Sequence, residues 1–464
     1  MPEHDNPWQP HLDKAIALKQ GDEAEAEARA AIATAPDKPD CLFTLAWVLQ
    51  NAGKLEQARD AYTAAIELDA HDPRFWNNLG NVLRGLGAYE DALRAASETL
   101  RLKPNHPGAW LTRGDACKAL GRLEDALVAY KTGHIQTPDH IELAYGLADV
   151  LLTTGDFENG WKAYEARWRL NRMGDDLTAR YALANRWTGQ SFDGKTLLVM
   201  SEQGLGDTLQ FCRYLPLIKA LGGQVIFEVQ KPLESLMVDI IGADDVIARG
   251  DPVPDHDFLI PLLSIPGVLG TTMATIPARI PYLKVPSGHV VKWAALRRDL
   301  KGMKVGLVWA GGTDHAGDRR RSLSLTDLAP VLDIEGISFV SLQVGPPKND
   351  LETASRTIID AGAQFKDFSD TAGALMHLDL IISVDTSVAH LAGALGKPVW
   401  TLIPSAPDWR WMQDCADTLW YPTMTLYRQQ PNQTWKPVVE SIANDLIDRV
   451  SSMNKLTEPE NTHV

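Results

Sequence analysis

The chain has 464 residues, too many for one hydrophobic core, and its length predicts two to four domains. A formal net charge of −15 argues against nucleic acid or an anionic membrane as the main partner, because both attract a basic footprint. No apolar run approaches the ~20 residues of a spanning helix, and the opening M-P-E-H-D-N-P has neither a basic region nor an apolar core. A cytoplasmic protein without membrane insertion is expected.

Between about Cys41 and Leu170 the sequence repeats every 34 residues. Leu45-Ala46, Leu79-Gly80, Arg113-Gly114 and Leu147-Ala148 recur at that interval, as do Gly53, Gly87, Gly121 and Gly155. Ala58, Ala92, Ala126 and Gly160 follow, and Trp76 is matched by Trp110. Small residues at fixed places let two antiparallel helices approach, the glycine turns the chain between them, and Ala70, Pro104 and Pro138 mark the exit from each pair. This is the pattern of tetratricopeptide repeats. His11–Pro36 resembles a further copy whose Gly21 is two residues out of phase with Gly53, as suits a capping repeat. Residues 1–170 are therefore expected to form about five helix pairs in a right-handed superhelix. Its concave face suits an extended segment of a protein partner, and bracing of the neighbouring domain is the alternative use.

Cys41, Cys117, Cys212 and Cys415 are scattered, without a C-x-x-C pair or paired histidines, so neither a zinc site nor a disulfide framework has support. The first three fall on expected helices and read as small core residues.

A polar linker, 171–194, leads into the first α/β domain, 195–285. Thr196–Met200 reads as a buried strand, and S-E-Q-G-L-G-D-T-L-Q-F-C-R-Y-L-P follows it directly. Gly204 and Gly206 permit a tight turn into an amphipathic helix, which leaves Asp207 at the helix mouth beside free backbone N–H groups. Open parallel sheets bind ligands there, although an Asp at that position also serves as a helix cap. Strands at Gln224–Val229, Asp245–Ala248 and Phe258–Leu262, with a helix from Pro232, extend a parallel, doubly wound pattern. Asp255-His256-Asp257 has the D-x-D form of metal-dependent sugar transferases, but after Pro252 and Pro254 it reads as a turn entering a strand.

After a linker at 286–302 the pattern restarts in a second Rossmann-like domain, 303–453, with 454–464 as a disordered tail. The strand Lys304–Trp309 runs into A-G-G-T-D-H-A-G-D-R-R-R-S, where Gly311 and Gly312 stand before Arg319, Arg320 and Arg321. Backbone N–H groups in a glycine turn and guanidinium forks are the parts of a phosphate site. Strands follow at Phe339–Gln343 and Leu380–Val384; the second enters a turn of Asp385, Thr386 and Ser387 and a helix, Val388–Leu395, with His390 one turn inside. That helix mouth is a second anion site. Asp408-Trp409-Arg410-Trp411, Trp420-Tyr421-Pro422 and Arg428-Gln429 form a polar and aromatic cluster that fits an acceptor surface or a seam between domains.

Taken together, E-Q-G-L-G-D-T-L-Q-F with R-Y-L-P, V-G-L-V-W-A-G with the R-R-S turn, S-L-Q, D-T-A, V-D-T-S-V-A-H-L-A-G-A-L-G, and D-W-R-W with W-Y-P resemble the bacterial tetratricopeptide-repeat glycosyltransferases, whose second half is similar to heptosyltransferases. The resemblance spans essentially the whole chain. It implies a GT-B fold of two Rossmann-like domains and metal-independent, inverting transfer from a nucleotide sugar, with no other cofactor. It makes Asp207 the general base, and it gives Gly204, Gly206, Gly311, Gly312, Arg320, Arg321, Gln343, Asp385, Thr386, Ser387 and His390 to the donor. Trp409, Arg410 and Trp411 fall to the acceptor or to the seam. The first domain looks shortened, and an arginine stands for the family's phosphate-binding lysine. The family is associated with modification of surface proteins, flagellin above all, with the repeats presenting the acceptor. A catalytically degenerate repeat scaffold and a transferase for lipopolysaccharide-type glycans are the alternatives.

Overall fold

The computed structural model describes residues 6–170, 174–312, 318–354, 356–431 and 433–457. Two compact units divide the chain, Met1–Thr154 and Gly155–Val464.

The first unit is a row of antiparallel helices: α1 (Gln9–Leu18), α2 (Asp22–Thr34), α3 (Pro39–Asn51), α4 (Leu55–Leu68), α5 (Pro73–Gly85), α6 (Tyr89–Leu102), α7 (Pro107–Ala119), α8 (Leu123–Gln136) and α9 (Ile141–Thr153). The sequence period has direct physical causes. Gly53, Gly87 and Gly121 all adopt left-handed backbone (φ +73°, +77° and +75°), which only glycine enters without strain, and each joins the two helices of a pair. Ala58, Ala92 and Ala126 are fully buried where the paired helices touch. The indole N–H of Trp76 donates to the Ala70 carbonyl and that of Trp110 to the Pro104 carbonyl, both at 2.9 Å, so each tryptophan pins its helix to the exit of the preceding pair. The out-of-phase Gly21 (φ +101°) stands directly before α2, whereas a further residue separates Gly53 from α4; the connection has the same length in the terminal pair, but the glycine sits one place later in it.

Ion pairs run between successive repeats. Arg84 of α5 pairs with Asp115 of α7, and Lys118 of α7 with Asp149 of α9. Tyr130 of α8 is buried in a slot made by two glycines and donates to Asp115 at 2.5 Å. A methyl group on Gly114 would stand 2.5 Å from its ring, and one on Gly146 2.4 Å. The hydrogen bond keeps the ring from swinging aside, so Gly114→Ala should destabilise the unit by about 1–3 kcal/mol. Chemical denaturation of the wild type and the variant checks this, and equal midpoints would contradict it.

The second unit opens with α10 (Phe157–Tyr164) and a 3-10 turn at Glu165–Arg169, then α11 (Asp175–Leu183). The stretch expected as a linker thus carries a helix, with 171–173 outside the described residues. Arg180 of α11 grips the buried Glu228 with two bonds of 3.0 and 2.6 Å, and Tyr181 stacks on Trp168 with ring centres 4.2 Å apart.

Two wholly parallel sheets follow. The first holds β1 (Thr196–Met200), β2 (Gln224–Val229), β3 (Asp245–Ala248) and β4 (Phe258–Pro261) in the order β3-β2-β1-β4. Its central register pairs Leu198 with Ile226 on one side and Leu259 on the other. The second holds β5 (Met303–Val308), β6 (Ile337–Ser341), β7 (Ile359–Asp360), β8 (Leu380–Val384), β9 (Val399–Ile403) and β10 (Met424–Arg428), ordered β10-β9-β8-β5-β6-β7. The order reverses between β1 and β4 in one sheet and between β5 and β8 in the other. Such switch points open a crevice at the carboxyl ends of the strands. Strands β8 and β9 are buried at every residue, as a parallel sheet covered on both faces requires. Val439, Ile442 and Leu446 of the C-terminal helix, Lys436–Thr457, pack into this core.

Several boundaries differ from the sequence reading. The strands expected at Lys304–Trp309 and Phe339–Gln343 lie one and two residues earlier, and β7, β9 and β10 were not foreseen. Arg428, expected in the site cluster, ends β10 and donates to the carbonyls of Cys415 and Met412 at 2.6 and 3.1 Å, which holds that loop. The C-terminal helix covers 454–457, where a disordered tail was expected, and 458–464 lie outside the described residues. The D-x-D segment is backbone-bound: the Asp257 carboxylate accepts the Thr196 N–H at 2.8 Å, and its own N–H donates to the Thr196 carbonyl at 2.9 Å. No helix among the described residues is long and apolar enough to cross a membrane.

Candidate functional site

The strand β1 ends in Ser201-Glu202, and the chain turns at Gln203 and Gly204 into α12 (Leu205–Phe211). Asp207 sits in the first turn of α12, where its Oδ2 accepts the Gly204 N–H at 2.8 Å. The helix-capping reading and the functional reading of this aspartate are therefore compatible, because the cap occupies one oxygen and leaves the other. That second oxygen, Oδ1, pairs with the Nη2 of Arg410 from the other sheet's side of the unit. Burial raises the carboxyl's proton affinity, and the arginine opposes this.

In the second sheet β8 delivers Asp385 to the switch point, and the helix Ser387–Ala394 begins immediately after it. Thr386, at its N-cap, makes no side-chain capping bond; its hydroxyl lies 3.0 Å from that of Ser383 instead. The first N–H groups of this helix are thus left for another acceptor. Burial, then the charge of Asp408, push the Asp385 carboxyl up to about 6. His390 lies one turn on, its Nδ1 2.9 Å from the Tyr421 hydroxyl, its ring stacked on Trp411 and its Nε2 3.8 Å from Asp385. Burial and the nearby Arg410 push it down to about 3, so it is neutral at ordinary pH.

The two helix mouths meet at Gly206. A methyl group there would stand 2.9 Å from the His390 ring and 3.6 Å from the Ser387 Cα. The glycine is required for this approach and not only for the turn.

The remaining expected residues divide sharply. Arg321 donates to the Asp385 backbone carbonyl at 2.8 Å and to Asp318 at 3.2 Å, beside Gly311, where any side chain would collide with it. Arg320 and Gly312 are exposed on the same turn. Residues 313–317, the middle of that turn, lie outside the described residues, as does the side chain of Arg319. Gln343 is a correction. Its amide oxygen accepts the N–H groups of Trp309 and Ala310 at 3.1 Å each, and its nitrogen donates to the carbonyls of Ala310 and Val344 at 3.0 and 3.1 Å. Buried and fully engaged, it ties β5 to β6 and has no group left for a donor. Trp409 and Trp411 are likewise buried, Trp409 edge-on to Trp161 at 5.3 Å within a cluster that includes Phe211 and Trp420. Of the two roles expected for this segment, the seam is the one the packing supports.

Sequence reading missed the residues that hold the site. Gln210, one turn after Asp207, accepts the Nε of Arg410 at 2.7 Å, and Asp408 accepts its Nη1 at 2.8 Å. Arg213 spans the same seam, donating to the Trp420 carbonyl at 2.6 Å and the Tyr282 hydroxyl at 2.8 Å. Both arginines stood in quoted motifs; their pairings across the seam, Arg410 with Gln210 and Arg213 with Trp420, join residues 200 and 207 places apart and have no sequence signature. Deeper, Glu202 accepts from Arg167 at 3.0 Å and from the Leu263 N–H at 3.1 Å, and burial pushes its carboxyl up to about 7.

The tetratricopeptide repeat family model matches residues 43–107 and 77–133. The repeats are tetratricopeptide repeats. Over 340 residues the chain is 28% identical to Protein FlbA of Caulobacter vibrioides, which covers 67% of this chain and 56% of that protein, so the match spans just over half the relative's length. Among solved structures it is similar to a thermophilic tetratricopeptide-repeat protein of Thermus thermophilus (22% identity, 38% of this chain and 97% of that one, TM-score 0.32). It is also similar to MamA from Desulfovibrio magneticus RS-1 (17% identity, 37% and 98%, TM-score 0.34).

The neutral His390 gives a pH prediction. Its folded pKa lies below the unfolded value of 6.5, so as pH falls from 6.5 toward 3 the unfolded chain takes up a proton that the folded chain refuses, and stability is lost across that window. His390→Gln should flatten this part of the stability curve, measured as urea midpoints at successive pH values; an unchanged slope would show that the imidazole is not the group responsible.

Proposed function

We propose that the second unit is a glycosyltransferase that moves a sugar from a nucleotide-sugar donor to an acceptor hydroxyl, and that the repeats bind the protein that carries this hydroxyl. The observation that carries the reading is the meeting of Asp207 with the uncapped mouth of the Ser387–Ala394 helix across Gly206. A parallel-sheet switch point with free helix N–H groups favours a diphosphate. Arg321 beside Asp385 and the exposed Arg320 add fixed positive charge that suits the same ligand. Two parallel sheets with facing carboxyl ends in one unit are what a GT-B architecture requires.

In this reading Asp207 takes the proton of the acceptor hydroxyl as its oxygen attacks the anomeric carbon. The bond from that carbon to the donor phosphate breaks, and the charge on the leaving diphosphate is stabilised by the Ser387 helix and the arginines, in the role a metal takes in other transferases. Inversion at carbon follows from a single displacement. The family resemblance adds flagellin as the acceptor to try first.

Asp207→Asn should lower turnover by at least about 10³-fold while donor affinity changes little, because the base acts only in the transition state. Retained turnover would remove the assignment. Thermal-shift measurements with UDP-, GDP-, ADP- and CMP-sugars, repeated on Arg321→Ala, test the donor site. One nucleotide class should stabilise the wild type and not the variant. No shift with any donor would favour the rival reading, a repeat scaffold that has lost catalysis.

A further inference from the structure

We infer that Arg410 is the positioning residue of Asp207: reaching from the loop after β9 to the helix after β1, it fixes the carboxylate and keeps it ionised, so the base is complete only while the two sheets face each other. The inference rests on the transferase reading for the word base, and on geometry for the rest.

Arg410 is aimed before it reaches Asp207. Its Nε is held by Gln210 at 2.7 Å, its Nη1 by Asp408 at 2.8 Å, and its guanidinium lies over Trp409 at 4.6 Å and Phe211 at 5.6 Å. A planar, permanently charged fork fixed on three sides offers its last nitrogen in one direction, and that direction is Asp207 Oδ1. With Gly204 on Oδ2, both carboxylate oxygens are then oriented.

The need for such a partner follows from closure. Gly206 against His390 and Ser387 brings Asp207 into a largely buried setting, with its side chain 16% exposed. A carboxylate taken out of water without a counter-charge takes up a proton, and a protonated aspartate cannot act as a base. The surrounding groups do not replace the arginine. Asp408 repels, Asp385 across Gly206 is itself a burdened acid, His390 is neutral, and Tyr164, pushed up to about 12, is neutral too. Arg321 is engaged with Asp385 and Asp318, Arg213 with Trp420 and Tyr282, and Arg167 with Glu165, Glu202 and Ser264.

The test reads the carboxyl directly. Full-length protein carrying ¹³C-carboxyl aspartate is titrated by NMR, with Asp207→Asn identifying the signal. In Arg410→Gln the Asp207 midpoint should rise by about one pH unit or more, and Arg410→Lys should restore at least half of the shift. Should the Gln variant fail to fold, Gln210→Ala serves instead, since it releases the Nε of Arg410 without removing any charge, and the midpoint should again rise. The acid limb of kcat/KM should move with the midpoint while the donor KM stays within about threefold. An unmoved midpoint, or a limb that ignores it, overturns the inference. A wild type that turns over no nucleotide sugar, yet shows the midpoint shift, removes the transferase reading and leaves the Arg410–Asp207 pairing intact.

Discussion

Gly206 has no side chain, and the approach of the two helix starts that carry the candidate site follows from that. The helices that begin after β1 and after β8 come together at this bare backbone, and the His390 ring fills the space that a β-carbon would need. Everything gathered at the site, Asp207 from one sheet and Asp385 with its helix mouth from the other, is gathered because this approach is possible.

Charge at this seam is organised around arginine. Arg410, Arg213 and Arg167 are all nearly or fully buried, and each donates to carboxylates, amides, hydroxyls or backbone carbonyls while lying over aromatic rings; the Nε of Arg167 alone among their nitrogens is buried without a partner. Arginine suits such positions because it does not lose its proton on burial and its weak hydration makes desolvation less costly than for lysine. The carboxyls respond in the opposite way. Burial raises the carboxyls of Asp207, Asp385 and Glu202, to about 6 for Asp385 and about 7 for Glu202, while Arg410 opposes the rise at Asp207. Clusters of this kind gather at functional sites more often than elsewhere, although structural ion pairs produce them too.

The first unit is built on a different principle. Its repeats make the same few contacts at a fixed interval: a left-handed glycine, a buried alanine and a tryptophan bonded to the preceding exit. Each contact is local or reaches only the next pair, which suits an array that presents a long surface rather than a pocket. Tetratricopeptide repeats accordingly suggest a protein-interaction role for this half.

The period of 34, the glycine turns and the helix pairs α1–α2 to α7–α8 could be read from the sequence because each depends on residues close along the chain. The strands β1, β2, β3 and β8 were equally legible, being short apolar runs bounded by turn residues. Asp207 and His390 were picked out by their places at helix starts, which are also local. What no stretch of sequence contained was the pairing of Arg410 with Asp207 and Gln210, or the return of Gln343 to the backbone just after β5, since these partners are joined only when the sheets form and pack. Sequence decided which residues stand at the ends of strands and helices, because backbone geometry is set within a few residues. Tertiary structure alone decided which of those ends face one another, because that depends on burial and close approach between segments some 200 residues apart.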